Sequence, residues 1–171
     1  MNAPFQPPAL TFADHHQALL WAKEWRSDCL DAFAKAETEI GQLLLALKAL
    51  GKVKLAQPTR PSFEHLRERL EAKGHWKIER RRFNERLTPI DRLLDFRPQL
   101  AHGELDVWHG KADRWLLTLR QADGQCAGPV RWHAYPLVEA NRKRCELQNE
   151  VRLLGERAAE LIARLAPTPT T

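Results

Sequence analysis

Phe96-Arg-Pro-Gln-Leu-Ala-His-Gly103 stands where the chain changes its period. Before it, Ile90, Leu93 and Leu94 recur at helical spacing towards Arg97. After it, Glu104-Leu-Asp-Val-Trp108 alternates apolar and polar residues, the pattern of a half-buried strand. Pro98 has no N–H to give Leu94, and it disfavours helical geometry at Arg97. The sequence therefore predicts a kink at Pro98, one further turn to His102, and a stop at Gly103.

Downstream, Trp115-Leu-Leu-Thr-Leu-Arg120 and Val130-Arg-Trp-His-Ala-Tyr135 read as further strands, with an Asp123-Gly124 turn between them. So narrow a sheet needs helices against one face. Pro136 is expected to open a last helix reaching about Leu165, with Leu147, Val151, Leu154, Ala158, Leu161 and Leu165 on its apolar stripe. Upstream, Thr88-Pro89 reads as a helix restart, proline being free of cost at a first helical position. Trp76 to Leu87 reads as the helix before it, and Ser62 caps a shorter one after a Lys52–Pro61 loop. From Thr11 to Leu50 no proline appears, and Leu19, Trp25, Cys29, Phe33, Ile40, Leu44 and Leu47 keep helical spacing. Thr11 and Asp14 are alternative caps, and Gly51 is the stop. So long a helix is expected either to bend near Arg26–Asp28 or to project towards another chain. The whole reads as mainly α: an antiparallel helical bundle with a small antiparallel β insertion at about 104–135 before the last helix. It forms one domain over 11–165, with an extended lead at 1–10 and a frayed tail at 166–171.

The chain has 171 residues, enough to bury a core without disulfide or metal staples. Its 43% hydrophobic and 29% charged residues argue against a disordered chain. No apolar run approaches a membrane span, and MNAPFQPPAL has no basic start or apolar stretch like a secretory signal. Cys29, Cys126 and Cys145 are few and far apart, as reduced thiols are in a cytoplasm, the expected location. The net charge of +5 favours anionic partners, RNA among them.

Chemistry-bearing patterns are sparse. There is no phosphate-binding glycine loop and no nucleophile elbow. His102, His109 and His133 flank the sheet without any metal-ligand spacing, so no metal or cofactor is expected. His15-His16 reads as a solvated pair. Lys77, Arg81 and Asn84 share one helical face, opposite Phe83 and Leu87, and that face is a candidate nucleic-acid grip or an ordinary solvated exterior. Arg97 and His102 suit RNA cleavage best. A histidine titrating near neutrality takes the 2′-hydroxyl proton, and an arginine steadies charge on the phosphate. On one ideal helix the two sit about 140° apart, so a kink or a second subunit must bring them together. The alternative is structural: Arg97 pairs with Glu37 or Glu39, and His102 caps the helix. Glu37 lies between Phe33 and Ile40 on the apolar stripe, where an unpaired carboxylate is costly.

The segment resembles the Arg-x-x-x-x-His signature of the HEPN superfamily, whose common form is Arg-Asn-x-x-Ala-His-Gly. The order of elements over roughly residues 28 to 165 is similar too. The resemblance implies a helical bundle, usually dimeric, with the signatures of two chains meeting in a shared cleft. It implies Arg97 and His102 as catalytic residues, with Glu37 in support. It also implies a metal-independent endoribonuclease of toxin or defence type, with RNA as substrate and an antitoxin or other protein as partner. Other members of the superfamily are non-catalytic and bind nucleotides or proteins. Pro98 departs from the usual asparagine, since proline has neither a polar side chain nor a backbone donor.

Overall fold

The computed structural model describes residues 11–52, 77–110, 114–122 and 130–166. The lead, the helix expected from Ser62 with its loop, Trp76, the Asp123-Gly124 turn and the tail beyond Ala166 lie outside these residues. The elements are α1 (His15–Ala49), α2 (Lys77–Leu94), α3 (Phe96–His102), β1 (Glu104–His109), β2 (Trp115–Ala122), β3 (Val130–Pro136) and α4 (Leu137–Leu165). The fold is mainly helical, with a small antiparallel sheet before the last helix.

Helix α1 is one unbroken helix through Arg26–Asp28, 35 residues long and about 52 Å at the ordinary rise. Of the two candidate caps, Asp14 is the one used: its Oδ1 accepts from the Gln17 N–H at 2.8 Å. At the other end Gly51 takes φ +67°, and the N–H groups of Gly51 and Lys52 bond the carbonyls of Lys48 and Leu47, both at 2.9 Å. Only glycine adopts this left-handed closure without strain.

Two prolines act differently from expectation. Helix α2 runs straight through Pro89, with no restart at Thr88, at the loss of one backbone hydrogen bond. The break associated with Pro98 falls at Asp95, three residues earlier. The reason is where a proline acts. It withholds an N–H from the carbonyl four residues back, and its ring crowds that same carbonyl. At the third position of a new helix the missing N–H has no intrahelical partner in any case. Gln99 Nε2 donates to the Asp95 carbonyl at the break, at 3.2 Å.

The three strands pair in the order β1-β2-β3, both pairs antiparallel. Glu104 stands opposite Arg120, and Arg120 opposite Trp132. Val107, Leu117 and Leu119 are buried on one face. Pro136 ends β3, paired with Leu116, and the last helix begins one residue later than expected.

The chain divides into two compact units. The first combines residues up to Asp31 with Leu94–Gln148. Its core is Trp25, Cys29, Phe96, Leu100, Leu117 and Leu119, and Trp25 Nε1 donates to the Ala140 carbonyl at 2.7 Å. The second combines Ala32–Leu93 with the residues from Asn149 on. Its core is Phe33, Ile40, Leu47, Leu87, Ile90 and Leu154. Here Gly155 lets α4 come against α1: an added Cβ would lie 3.3 Å from the Glu39 carboxylate. On the expected stripes of α1 and α4, Phe33, Ile40, Leu44, Leu47, Leu147, Val151, Leu154, Ala158 and Leu161 are buried, whereas Leu19 and Leu165, near the outer ends, are half-buried. Each leucine so buried contributes roughly 1.5–3 kcal/mol.

Candidate functional site

Helix α3 is held on the first unit by its apolar side. Phe96 packs against Trp25 and edge-on against Tyr135, with centroids 5.6 and 5.7 Å apart. Leu100 is fully buried one turn on. The Tyr135 hydroxyl donates to Gln99 Oε1 at 2.8 Å. Burial, and then the Glu139 carboxylate, raise the Tyr135 phenol, which keeps it a donor. Lys143 Nζ lies 5.5 Å from both the Phe96 and the Tyr135 ring centres. This packing sets the rotation of α3, and so sets what Arg97 and His102 can face.

With Phe96 and Leu100 turned inward, an ideal helix puts Arg97 at the flank of the buried stripe and His102 on the far side. The exposures agree: Arg97 is half-buried and His102 is exposed. Because Pro98 lies within α3 rather than at its break, no kink separates the two residues. Of the two ways to bring them together, a kink at Pro98 or a second subunit, the kink is absent between the two residues. Within one chain they stay on one helix, about 140° apart. Glu37 is half-buried on the portion of α1 that belongs to the second unit.

The C-terminal end of α3 carries a residue that the sequence did not single out. Arg26, from α1, donates to the Gly103 carbonyl at 3.0 Å and to the Ala101 carbonyl at 3.2 Å. Both carbonyls are left over when the helix ends, and a cation there also suits the helix dipole. Gly103 itself is extended, at φ −73° and ψ 136°, so it is no left-handed stop. Its value is closeness: a Cβ there would come 2.4 Å from the Gln99 carbonyl oxygen and 3.3 Å from Leu119 Cβ. His102 therefore sits exposed on a firmly held turn, two residues before Glu104 enters the sheet.

The other candidates are placed as follows. Lys77 opens α2. Arg81 is exposed and paired with Glu85 at 3.2 Å, one turn along the same helix. Asn84, expected on the same solvated face, is half-buried, and its buried Oδ1 has no hydrogen-bond partner among the described residues. Beside this face an open pocket of about 580 Å³ lies between α2 and α4, lined by arginines 82, 157 and 164 and by glutamates 85, 156 and 160. Among the described residues that line it, three arginines meet three glutamates. His16 is exposed, but His15 is not simply solvated: its Nε2 lies 3.1 Å from the Val107 carbonyl and 3.5 Å from Asp106 Oδ1. Cys29 is buried, and burial pushes its thiol up to about 12, so it is inert; Cys145 is half-buried. Cys126 lies outside the described residues. Among the described residues no helix is long and apolar enough to cross a membrane.

Comparison with models of known protein families, with curated proteins and with solved structures finds no match.

Proposed function

We propose that this chain is a HEPN-like helical-bundle protein, a homodimer that cleaves RNA without a metal, of the toxin or defence type. The observation that supports this reading is the open imidazole of His102 on a turn held by Arg26 and Gly103. In the proposed step His102 accepts the proton of a ribose 2′-hydroxyl. The freed oxygen attacks the adjacent phosphorus, the bond to the 5′-oxygen breaks, that oxygen takes a proton from water to leave as a 5′-hydroxyl, and a 2′,3′-cyclic phosphate remains. Arg97 neutralises the charge that builds on the phosphoryl oxygens. The two side chains diverge on one helix, so the reading requires the Arg97 of one protomer to meet the His102 of its partner across a twofold axis. Glu37 is the supporting carboxylate. The test is cleavage of single-stranded RNA in EDTA by the wild type and by His102→Ala. Cyclic-phosphate products that vanish in the variant are expected; no cleavage by the wild type overturns the reading.

A second reading is a non-catalytic nucleotide-binding or protein-interaction module, with any antitoxin-like partner docking on it. It is favoured by Pro98, which supplies no donor at a position that is polar in the family signature. It expects no cleavage and an Arg97 that matters for stability.

A further inference from the structure

Strand alternation divides the sheet into two unlike faces. One carries Val107, Leu117 and Leu119, which are buried. The other carries Asp106, Trp108, Leu116, Thr118, Arg120 and Trp132, of which Thr118 is buried. On this outer face Trp108 is 57% exposed and Trp132 is 59% exposed, although indoles are among the costliest groups to leave in water. The two rings do not form one apolar patch. The register sets Trp108 beside Leu116 on one edge strand and Trp132 beside Arg120 on the other. That separates them by about 16 Å, taking four residues along a strand and two strand spacings. Midway between them lies the buried Thr118, whose hydroxyl donates to the Asp106 carbonyl at 3.3 Å, and the Glu104–Arg120 ion pair at 3.2 Å stands level with Trp132. A docking protein needs roughly 800 Å² per side with few charges at its centre, which this face does not offer. Separated aromatic rings with a cation beside one of them are instead what a single nucleic-acid strand uses.

We propose that this outer face is a platform for single-stranded RNA: bases stack on Trp132 and Trp108, and Arg120 holds the phosphate between them. The Arg120 guanidinium already lies 5.7 Å from the centre of the Trp132 ring. Its partner Glu104 is 72% exposed, and so exposed an ion pair contributes about 0–1 kcal/mol, so a phosphate can displace it. His102 precedes Glu104 by two residues, and Glu104 pairs across the sheet with Arg120. A strand held on Arg120 therefore passes the same end of the sheet as the His102 imidazole. The net charge of +5 draws the strand in. The assignment deepens the endonuclease reading and rests on it for the role of His102.

The test uses full-length protein carrying His102→Ala, so that nothing is cut, with a short labelled oligouridylate and a duplex RNA of the same length. Fluorescence anisotropy is expected to show binding of the single strand in preference to the duplex. Adding Trp132→Ala should weaken binding about tenfold or more, and Trp132→Phe should largely restore it. Adding Arg120→Ala should lower the salt dependence by about one phosphate contact. Both side chains are substantially exposed, so thermal melts should be unchanged. Single-strand affinity that ignores both substitutions, or no binding of the oligouridylate at all, overturns the platform. So does a Trp132→Ala variant that turns a dimer into a monomer in sedimentation and leaves RNA affinity intact. Cleavage by the otherwise wild-type chain separates the two ideas. Activity that needs His102 but neither Trp132 nor Arg120 keeps the nuclease and discards the platform. Trp132-dependent binding with no cleavage discards the nuclease and keeps the platform.

Discussion

Arg26 and Gly103, 77 residues apart in the chain, are joined by a hydrogen bond of 3.0 Å from the guanidinium to the carbonyl. A second bond runs from the same group to Ala101 at 3.2 Å. Together they tie the middle of α1 to the end of α3 and close the turn that presents His102.

Arg26→Ala strands both carbonyls and should cost about 1.5–3 kcal/mol, the range for a charge-assisted hydrogen bond. Arg26→Lys should recover only part of this, since a single ammonium cannot fork to two carbonyls. Urea denaturation midpoints of the three proteins check the order.

Two glycines should fail for opposite reasons. Gly103→Ala drives a Cβ into the Gln99 carbonyl and should cost roughly 1–3 kcal/mol by overpacking. Gly51→Ala meets open space but must hold φ +67°, a penalty of roughly 1–2 kcal/mol. Asparagine separates the causes: Gly51→Asn should be mild, because asparagine tolerates the left-handed region, whereas Gly103→Asn should be worse than alanine. Thermal melts of the four variants are sufficient.

Leu154 is buried in the core of the second unit, so Leu154→Ala should destabilise the protein by about 2–5 kcal/mol. A change below 1 kcal/mol in chemical denaturation would contradict this packing.

The Cys29 thiol is raised from 9.0 to about 12, mainly by burial, with Arg144 opposing. In the unfolded chain the thiol ionises near the ordinary value, while in the folded chain it stays protonated. Stability should therefore be unaffected below pH 9 and fall by up to about 1.4 kcal/mol per pH unit from 9 towards 12. Cys29→Ala should remove that part of the alkaline loss. Iodoacetamide at pH 8 should label the half-buried Cys145 well before Cys29, which should react only in denaturant.

If the proposed cleft is shared, Arg97→Ala and His102→Ala should each reduce RNA cleavage by about 10²–10⁴-fold. Mixing the two inactive variants under exchange should restore a fraction of the activity, because a mixed dimer keeps one intact pairing. No recovery in exchanged, sedimentation-verified dimers would remove the shared-cleft model.

Much of the local structure was legible in the residues themselves. Period-two alternation placed all three strands to within two residues, since a half-buried strand must alternate whatever packs on it. The helical spacing of Phe33, Ile40, Leu44 and Leu47 marked the buried stripe of α1, and Gly51 marked its end. The effects of the prolines were misplaced. A proline acts on a carbonyl four residues upstream, and its cost depends on where the neighbouring hydrogen bonds start.

The site was legible only as residue types. Arg97, His102 and Gly103 stand out in the sequence, and their spacing on a helix already says that they diverge. The rotation of α3 is decided by Phe96 and Leu100 packing against side chains far away in the chain. Arg26 as the tether of the turn, His15 on β1, and the outward choice of Trp108 and Trp132 are likewise decided there. Contacts between residues tens of positions apart leave no periodic trace in the sequence. Local patterns report which backbone conformation a segment prefers, and only the assembled tertiary structure determines which face of it meets the core and which is left to solvent.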